Sequence, residues 1–363
     1  MIVGIIGCGY VGLSLIKAFK SKFSIIGYDI CNNRIDYLNK NYKINNVYYT
    51  SNHTALQNCN VYIISVPTNT YSNKSVDLSN LINTIHILKL YIKSFDTIIL
   101  ESSIYVGGTK ELFSDFLNLN VYVGFSPERI CPQSNDNILE IPKIISGLNL
   151  QSLKKIKSIY EQVIDFIVPA TSTNVAELCK LYENCFRVVN IAYVNEIADM
   201  SKSYNIDFNE VMNITRTKPF GFMSFYPSFG IGGFCLPQNP YYLMHGIDNP
   251  KKTLPILYNS INILNNRPKL KSKQFINFNN ILIIGIGYKQ DSKCIESSAI
   301  LALYYELKQI KSNIIIFDNI NKKPTLDFIK SFDCLIIGYI PNNFPSNLLD
   351  NYKCNNYGQI FTF

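Results

Sequence analysis

Ile2-Val3-Gly4-Ile5-Ile6-Gly7-Cys8-Gly9-Tyr10-Val11-Gly12 opens the chain and decides how the rest is read. An apolar run of buried-strand character meets G-x-G-x-x-G, and Leu13-Ser14-Leu15-Ile16-Lys17-Ala18-Phe19 follows at helical period. The next apolar run, Ser24-Ile25-Ile26-Gly27-Tyr28, ends at Asp29, twenty-two residues after Gly7. Strand, glycine turn, helix, strand and acid at this spacing predict a dinucleotide-binding βαβ unit. The glycines let the chain turn and admit a pyrophosphate to the helix N-terminus, while the acid accepts a hydrogen bond from a ribose 2′-OH. Gly7, Gly9, Tyr10, Val11, Gly12 and Asp29 are thus candidate cofactor residues. A carboxylate at Asp29 repels the 2′-phosphate of NADP, so NAD is the expected cofactor. Arg34, five residues further on, reads either as a cofactor contact or as an exposed helix arginine.

Outward from that unit the pattern repeats. Val61-Tyr62-Ile63-Ile64-Ser65-Val66-Pro67-Thr68 and Thr97-Ile98-Ile99-Leu100-Glu101-Ser102-Ser103 are buried-strand runs ending in small hydroxyl residues. In an open α/β sheet the carboxyl ends of the strands line the ligand crevice, which makes Thr68 and Ser103 candidates. Val121-Tyr122-Val123-Gly124-Phe125-Ser126-Pro127-Glu128-Arg129 supplies a fourth such edge. Its Pro-Glu-Arg reads as a plain helix start or as a piece of the site.

From Thr173 to about Tyr204 neither Gly nor Pro interrupts a broad apolar pattern, which predicts one long helix. Glu177, Lys180, Asn184 and Arg187 share one sector of it at i, i+3, i+4 spacing. Polar groups on a mostly buried helix need partners or face a site, and the functional reading is a stripe lining a cleft. Phe229-Gly230-Ile231-Gly232-Gly233-Phe234-Cys235-Leu236-Pro237-Gln238-Asn239-Pro240 then crowds three glycines before one cysteine. Such a loop leaves room for a carbonyl beside the sulfur, whereas an isolated motif of this kind reads as a tight turn around an inert thiol. After it, Asn280-Ile281-Leu282-Ile283-Ile284-Gly285-Ile286-Gly287-Tyr288-Lys289 restarts the strand-then-glycine pattern. A helix over about 297–311 and strands at 313–318 and 333–338 follow, and residues 359–363 are placed to close a second, shorter sheet.

Composition fits this reading. The 363 residues suit two or three domains, with 47% hydrophobic and 17% charged residues. No apolar run nears the roughly 20 residues of a membrane span, and a strand at the very start leaves no room for a signal peptide. Ten cysteines without a C-x-x-C pair indicate neither a zinc site nor a disulfide framework, so a cytoplasmic protein with reduced thiols is expected. The net charge of +8 suits an anionic substrate. Its densest run, Arg267-Pro268-Lys269-Leu270-Lys271-Ser272-Lys273, reads as a solvated linker, and no nucleic-acid motif accompanies it.

Taken together these residues resemble the UDP-glucose/GDP-mannose dehydrogenase family, in order and over nearly the whole chain. The similarity is greatest to the UDP-N-acetylmannosamine dehydrogenase branch. Three motifs carry it: Pro127-Glu128-Arg129, the helix Lys180-Leu181-Tyr182-Glu183-Asn184-Cys185-Phe186-Arg187-Val188-Val189-Asn190-Ile191-Ala192, and the loop Gly230 to Pro237. The resemblance implies an α/β fold of two Rossmann-like, doubly wound parallel sheets joined by a long central helix. The expected domains are an NAD-binding domain (1–172), a central helical dimerisation and catalytic-loop domain (173–265) and a shortened UDP-sugar-binding domain (266–363). It also implies a homodimer or higher homo-oligomer with a UDP-sugar substrate and no nucleic-acid or membrane partner.

The implied reaction is a four-electron oxidation of a sugar C6 alcohol to the carboxylate, using two NAD. Cys235 would trap the aldehyde as a thiohemiacetal and carry the thioester, because a covalent adduct restores a C–H hydride donor at the same carbon. Lys180 would take the alcohol proton or stabilise the oxyanion, and Asn184 would donate to that oxyanion. Glu128 and Ser103 would handle the hydrolytic water. Arg129, Ile130, Arg187, Gly232, Tyr288 and Lys289 match substrate-contacting positions.

Two departures stand out. Asn239 replaces the aspartate that usually follows the cysteine, and the arginine expected near Ile295 or Glu296 is missing. They leave open a second reading, a degraded homologue that binds NAD or a nucleotide-sugar without full catalysis. A two-domain dehydrogenase of the 3-hydroxyacid or 6-phosphogluconate type needs no cysteine nucleophile, which argues against that third reading.

Overall fold

The computed structural model of the chain describes residues 1–130, 138–287, 295, 298–311, 313–318, 324–341, 344–355 and 357–362. They form two compact units, Met1–Glu183 with Tyr241–His245 and Asn184–Pro240 with Gly246–Phe363. The first unit begins β1 (Ile2–Ile6), α1 (Tyr10–Phe19), β2 (Ser24–Tyr28), α2 (Asn32–Asn41), β3 (Val47–Thr50) and β4 (Val61–Ile64). A short hairpin, β5 (Asn69–Thr70) and β6 (Val76–Asp77), leads to α3 (Ser79–Tyr91), β7 (Thr97–Leu100), α4 (Gly108–Phe113) and β8 (Tyr122–Phe125). Then come β9 (Lys143–Ile145), α5 (Leu150–Tyr160), β10 (Ile167–Pro169) and the start of α6 (Thr173–Ser203).

Six parallel strands stand in the order β3-β2-β1-β4-β7-β8. Their near-continuous apolar runs have a simple cause: both faces are covered. Val61 and Ile63 of β4 point into one core cluster with Leu15, Ile16 and Ile156, while Tyr62 and Ile64 point into another with Leu81 and Ile85. Period-two alternation with two buried faces leaves no polar stripe. The carboxyl ends of β1, β4, β7 and β8 therefore put Gly7, Ser65, Glu101 and Ser126 on one edge of the sheet. The 31 residues of α6 contain neither Gly nor Pro to interrupt the helix.

The second unit carries the rest of α6, then α7 (Phe208–Thr215), α8 (Asn239–Met244, whose last turn belongs to the first unit), α9 (Pro250–Thr253) and α10 (Pro255–Ser272). Its sheet follows: β11 (Ile281–Ile284), α11 (Ala299–Lys308), β12 (Ile314–Phe317), α12 (Leu326–Ile329), β13 (Cys334–Ile337), α13 (Ser346–Cys354) and β14 (Gln359–Thr362). Four parallel strands lie in the order β12-β11-β13-β14, so the C-terminal run does close the sheet. Ile281 and Ile283 face one cluster, Leu282 and Ile284 the other, repeating the logic of the first sheet. Among the described residues no helix is long and apolar enough to cross a membrane.

The basic run corrects the sequence reading. Residues 267–272 are not a solvated linker; they are the last turns of α10, and Arg267 and Lys271 are only 2% and 1% exposed. Arg267 grips Asp199 of α6 through Nη1 at 2.8 Å and Nη2 at 3.3 Å, and its Nε donates to the Ser228 carbonyl at 2.5 Å. The Lys271 ammonium pairs with the same carboxylate. Between them Pro268 sits inside the helix and has no N–H to give the Leu264 carbonyl four residues back. A Cβ built on Gly230, whose φ is +152°, would lie 3.3 Å from that carbonyl oxygen and 3.6 Å from the Pro268 ring.

Candidate active site

The glycine turn after β1 is built to bring a ligand close to backbone. Gly7 has φ +90°, and a Cβ there would press on the Ser65 carbonyl at 2.8 Å. A Cβ on Gly12 would meet the Gly7 carbonyl oxygen at 1.9 Å, so the first turn of α1 can pack on β1 only as glycine. A Cβ on Gly9 would meet nothing within 4 Å, which marks the open side of the turn. Ser65 Oγ donates to the Gly7 carbonyl at 2.9 Å and holds the turn from β4. Asp29 receives the Cys8 N–H at 2.8 Å on one oxygen and the Cys31 N–H at 2.9 Å on the other. Arg34 folds back, its Nε donating to the Cys8 carbonyl at 2.7 Å and Nη2 to the Gly9 carbonyl at 3.3 Å. It belongs to the glycine turn. Tyr10 and Val11 open α1, whose N-cap Gly9 offers no side-chain bond, leaving the helix start to whatever anion lies there. This cradle fits the pyrophosphate and ribose of NAD.

Along the same sheet edge, Thr68 Oγ1 donates to the Ser103 carbonyl at 2.9 Å, tying the ends of β4 and β7 together. After β8, Pro127-Glu128-Arg129 is irregular backbone. Glu128 is buried and turns its carboxylate back on its own chain: Oε1 receives the N–H of Arg129 at 2.6 Å and of Ile130 at 2.7 Å. Arg129 forks onto Glu183 of α6 at 2.7 and 3.3 Å and also donates to the Pro142 carbonyl at 2.9 Å. Lys180 Nζ donates to the Glu128 carbonyl.

The polar stripe of α6 thus divides. Glu177, fully buried, spends both oxygens on the N–H groups of Gly107 and Thr109 at the start of α4, a capping role and not a cleft donor. Lys180 joins Glu128 in the first unit. In the second unit Asn184 Nδ2 donates to Asn239 Oδ1 at 2.7 Å, both side chains buried. Arg187 is exposed.

The glycine-rich loop of the second unit ends in Cys235, whose side chain is exposed. Its carbonyl accepts the Asn239 N–H at 2.9 Å and the Gln238 N–H at 3.3 Å, forming the turn into α8. Gly233 has φ +85°, a conformation that Gly232, half-buried beside it, does not share. Burial pushes the thiols of Cys8, Cys59, Cys185 and Cys334 up to about 12, which keeps them unreactive near neutral pH. Among the described residues no cluster of His, Cys, Asp and Glu could hold a metal ion. Tyr288, Lys289 and Glu296 lie outside the described residues.

Sequence reasoning missed one group on this edge. Glu101, Lys143 and Tyr160 form a buried network with Glu128: Lys143 Nζ lies 2.7 Å from Glu101 Oε2 and 3.4 Å from Glu128 Oε2, and Tyr160 donates to the other oxygen of Glu101. Its one sequence signal is a lysine opening the buried run Lys143-Ile144-Ile145.

Comparison with known proteins gives the family. Residues 38–164 match the NAD binding domain model of the UDP-glucose/GDP-mannose dehydrogenase family and residues 174–267 match its central domain. The chain is 31% identical over 348 residues to the UDP-N-acetyl-D-glucosamine 6-dehydrogenase of Salmonella typhi, covering 87% of this chain and 81% of that one. Protein CapL of Staphylococcus aureus is 30% identical over 347 residues, with the same coverage. The fold is similar to that of a UDP-D-ManNAc dehydrogenase from Pyrococcus horikoshii, with a TM-score of 0.84, 23% identity, and 93% of this chain and 89% of that chain covered. The chain belongs to the UDP-glucose/GDP-mannose dehydrogenase family. It is an NAD-dependent oxidoreductase acting on a CH–OH group.

Proposed function

We propose that the protein oxidises the C6 alcohol of a UDP-N-acetylhexosamine to the carboxylate through a covalent thioester on Cys235. One observation carries the reading: Cys235 is exposed at the tip of a glycine loop, unlike the four cysteines that burial makes inert. The named substrate of the Salmonella relative supports the N-acetylhexosamine class. Bound NAD would accept the hydride in each of the two oxidation steps. Gly7, Gly9, Tyr10, Val11, Gly12, Asp29, Arg34 and Thr68 would hold it, with Ser103 at the same sheet edge.

In this reading Lys180 takes the proton of the C6 hydroxyl, and Asn184 steadies the oxygen as its charge grows. Asn239 orients Asn184 through the bond between them. Glu128 draws the proton from the hydrolytic water, with the Ser103 hydroxyl on that water. Arg129, Ile130, Arg187, Gly232, Tyr288 and Lys289 contact the nucleotide-sugar. We further propose a cytoplasmic homo-oligomer. Tyr193, Ile256, Ile263 and Leu270 of the second unit line an apolar groove of about 990 Å³ suited to a second copy, and light scattering gives the stoichiometry.

The deciding experiment counts NADH per sugar consumed with UDP-N-acetyl-D-glucosamine, UDP-N-acetyl-D-mannosamine and UDP-glucose. Two NADH and a uronic acid are expected from an N-acetylhexosamine. One NADH with a free aldehyde would rule out the thioester. Cys235→Ala should abolish turnover with NAD affinity retained; acid formation at the parent rate would make the cysteine structural.

A further inference from the structure

Beneath Glu128 lies a set of charges that the fold alone does not require. Lys143, the first residue of β9, is buried with its three N–H groups committed: to Glu101 Oε2 at 2.7 Å, to the Pro127 carbonyl at 3.3 Å and to Glu128 Oε2 at 3.4 Å. Tyr160, at the end of α5, donates to Glu101 and lays its ring 5.5 Å from the same ammonium. Desolvating three ionisable groups costs several kcal/mol each, and apolar side chains of similar volume often serve stability as well or better. Stability therefore does not account for the cluster.

The two oxygens of Glu128 are unequal. Oε1 already receives two backbone N–H groups, whereas Oε2 faces Lys143 at the long end of hydrogen-bond range and keeps acceptor capacity. We propose that Lys143 is a positioning residue that fixes Glu128 Oε2 as the oxygen taking the proton of the water that cleaves the Cys235 thioester, an inference that rests on the role given to Glu128 above. In that step the water oxygen bonds to the acyl carbon and its proton passes to Oε2. The C–S bond then breaks with its electron pair leaving on sulfur, and the acid formed ionises to solvent. No redox change occurs.

The charged and titratable neighbours of Glu128 are Lys143 from β9, Glu101 after β7, Tyr160 from α5, Lys180 from α6 on its carbonyl, and the adjoining Arg129–Glu183 pair. Burial raises Glu101 to about 7 despite the pull of Lys143, so below neutrality the lysine charge is left increasingly to Glu128.

The test uses the full chain with NAD and UDP-N-acetyl-D-glucosamine or UDP-N-acetyl-D-mannosamine, whichever turns over. In Lys143→Met the first turnover should still yield two NADH, while steady-state kcat falls about tenfold or more with KM nearly unchanged. Intact-mass spectrometry should show the acyl group accumulating on Cys235. The acid limb of the kcat–pH profile should move to higher pH, and Lys143→Arg should restore hydrolysis. Should Lys143→Met fail to fold, Lys143→Met with Glu101→Gln removes the ion pair whole and must show the same accumulation. A folded variant that hydrolyses the thioester at the parent rate, or whose acid limb stays in place, overturns the proposal. Glu128→Gln separates the two levels: parent-rate hydrolysis there removes the role of Glu128 itself, and slow hydrolysis there with none of these effects in the lysine variants removes Lys143 alone.

Discussion

Each unit of the molecule buries a charge cluster, and the two are built with opposite signs. In the first, two carboxylates, Glu101 and Glu128, share one ammonium, Lys143. In the second, two cations, Arg267 and Lys271, share one carboxylate, Asp199. The first stands on the sheet edge of its own unit, beside Lys180 on the Glu128 carbonyl; the second ties α10 to α6 and to the Ser228 carbonyl. One arrangement suits holding a base ready, the other suits holding helices together, and they should respond oppositely to acid. Burial pushes Glu101 up from 4.5 to about 7. Burial also works against the Asp199 carboxylate, but the hydrogen bonds from Arg267 and Lys271 outweigh it and hold that group below 3.8.

The largest effect should come from the helix clamp. Arg267→Met leaves the Ser228 carbonyl and half of Asp199 without a partner, and should cost about 3–5 kcal/mol in urea unfolding. NAD binding, measured on the folded protein, should not change. A loss below about 1 kcal/mol would mean that the cluster does not fasten the helices.

The pH response comes next. Between pH 4.5 and 7 the native state keeps a proton on Glu101 that the unfolded chain has lost, so this cluster loses stability as pH rises through that window. Relative to Glu101→Gln, the parent protein should lose on the order of 3 kcal/mol there. Asp199 contributes fully above 3.8 and loses its contribution as pH falls below that, so Asp199→Asn should flatten only the acid end. Unfolding curves of both variants across pH break the comparison if the slopes coincide.

A third test sets the two sheets side by side. Asp29 and Asp318 stand at matching strand ends, each accepting a backbone N–H from the glycine turn, Cys8 at 2.8 Å and Ile286 at 3.4 Å. Asp29→Ala should weaken NAD about ten- to a hundredfold, since hydrogen bonds to charged groups contribute roughly 1.5–3 kcal/mol. Asp318→Ala should leave NAD affinity alone. Equal losses by calorimetry would misplace the cofactor.

The smallest expected change concerns the neutral Asn184–Asn239 pair. Asn239→Asp adds an ionisable group beside Asn184 and should raise kcat about tenfold, toward what general acid–base groups contribute. A slower enzyme at every pH would show that the local charges have adapted to an amide.

Much of this was legible in the chain because it is local. Gly7, Gly12 and Asp29 sit within one βαβ unit, so spacing alone predicts the turn that the clashes at Gly7 and Gly12 explain. The long helix needed only an unbroken apolar pattern, and α6 ends within a residue of the expected place. What failed was whatever depends on distant partners. Arg267 and Lys271 look like a solvated run until Asp199, 68 and 72 residues earlier, is brought beside them. Glu177 looks like a site residue until the α4 start consumes its oxygens. Lys143 signals itself only as a lysine opening a buried apolar run, since its meaning lies in Glu101 and Glu128, which only the fold brings beside it.

The proline inside α10 has a consequence for how this chain can vary. The Leu264 carbonyl that Pro268 leaves without its helical partner faces Gly230, at the head of the cysteine loop. One residue inserted within α10 ahead of Leu264 would turn that carbonyl by about 100° about the helix axis and swing it away from the loop. The stretch of α10 from Pro255 to Pro268 is therefore fixed in length by the loop it faces, whereas the turn over 245–249 can take an added residue without rotating that carbonyl.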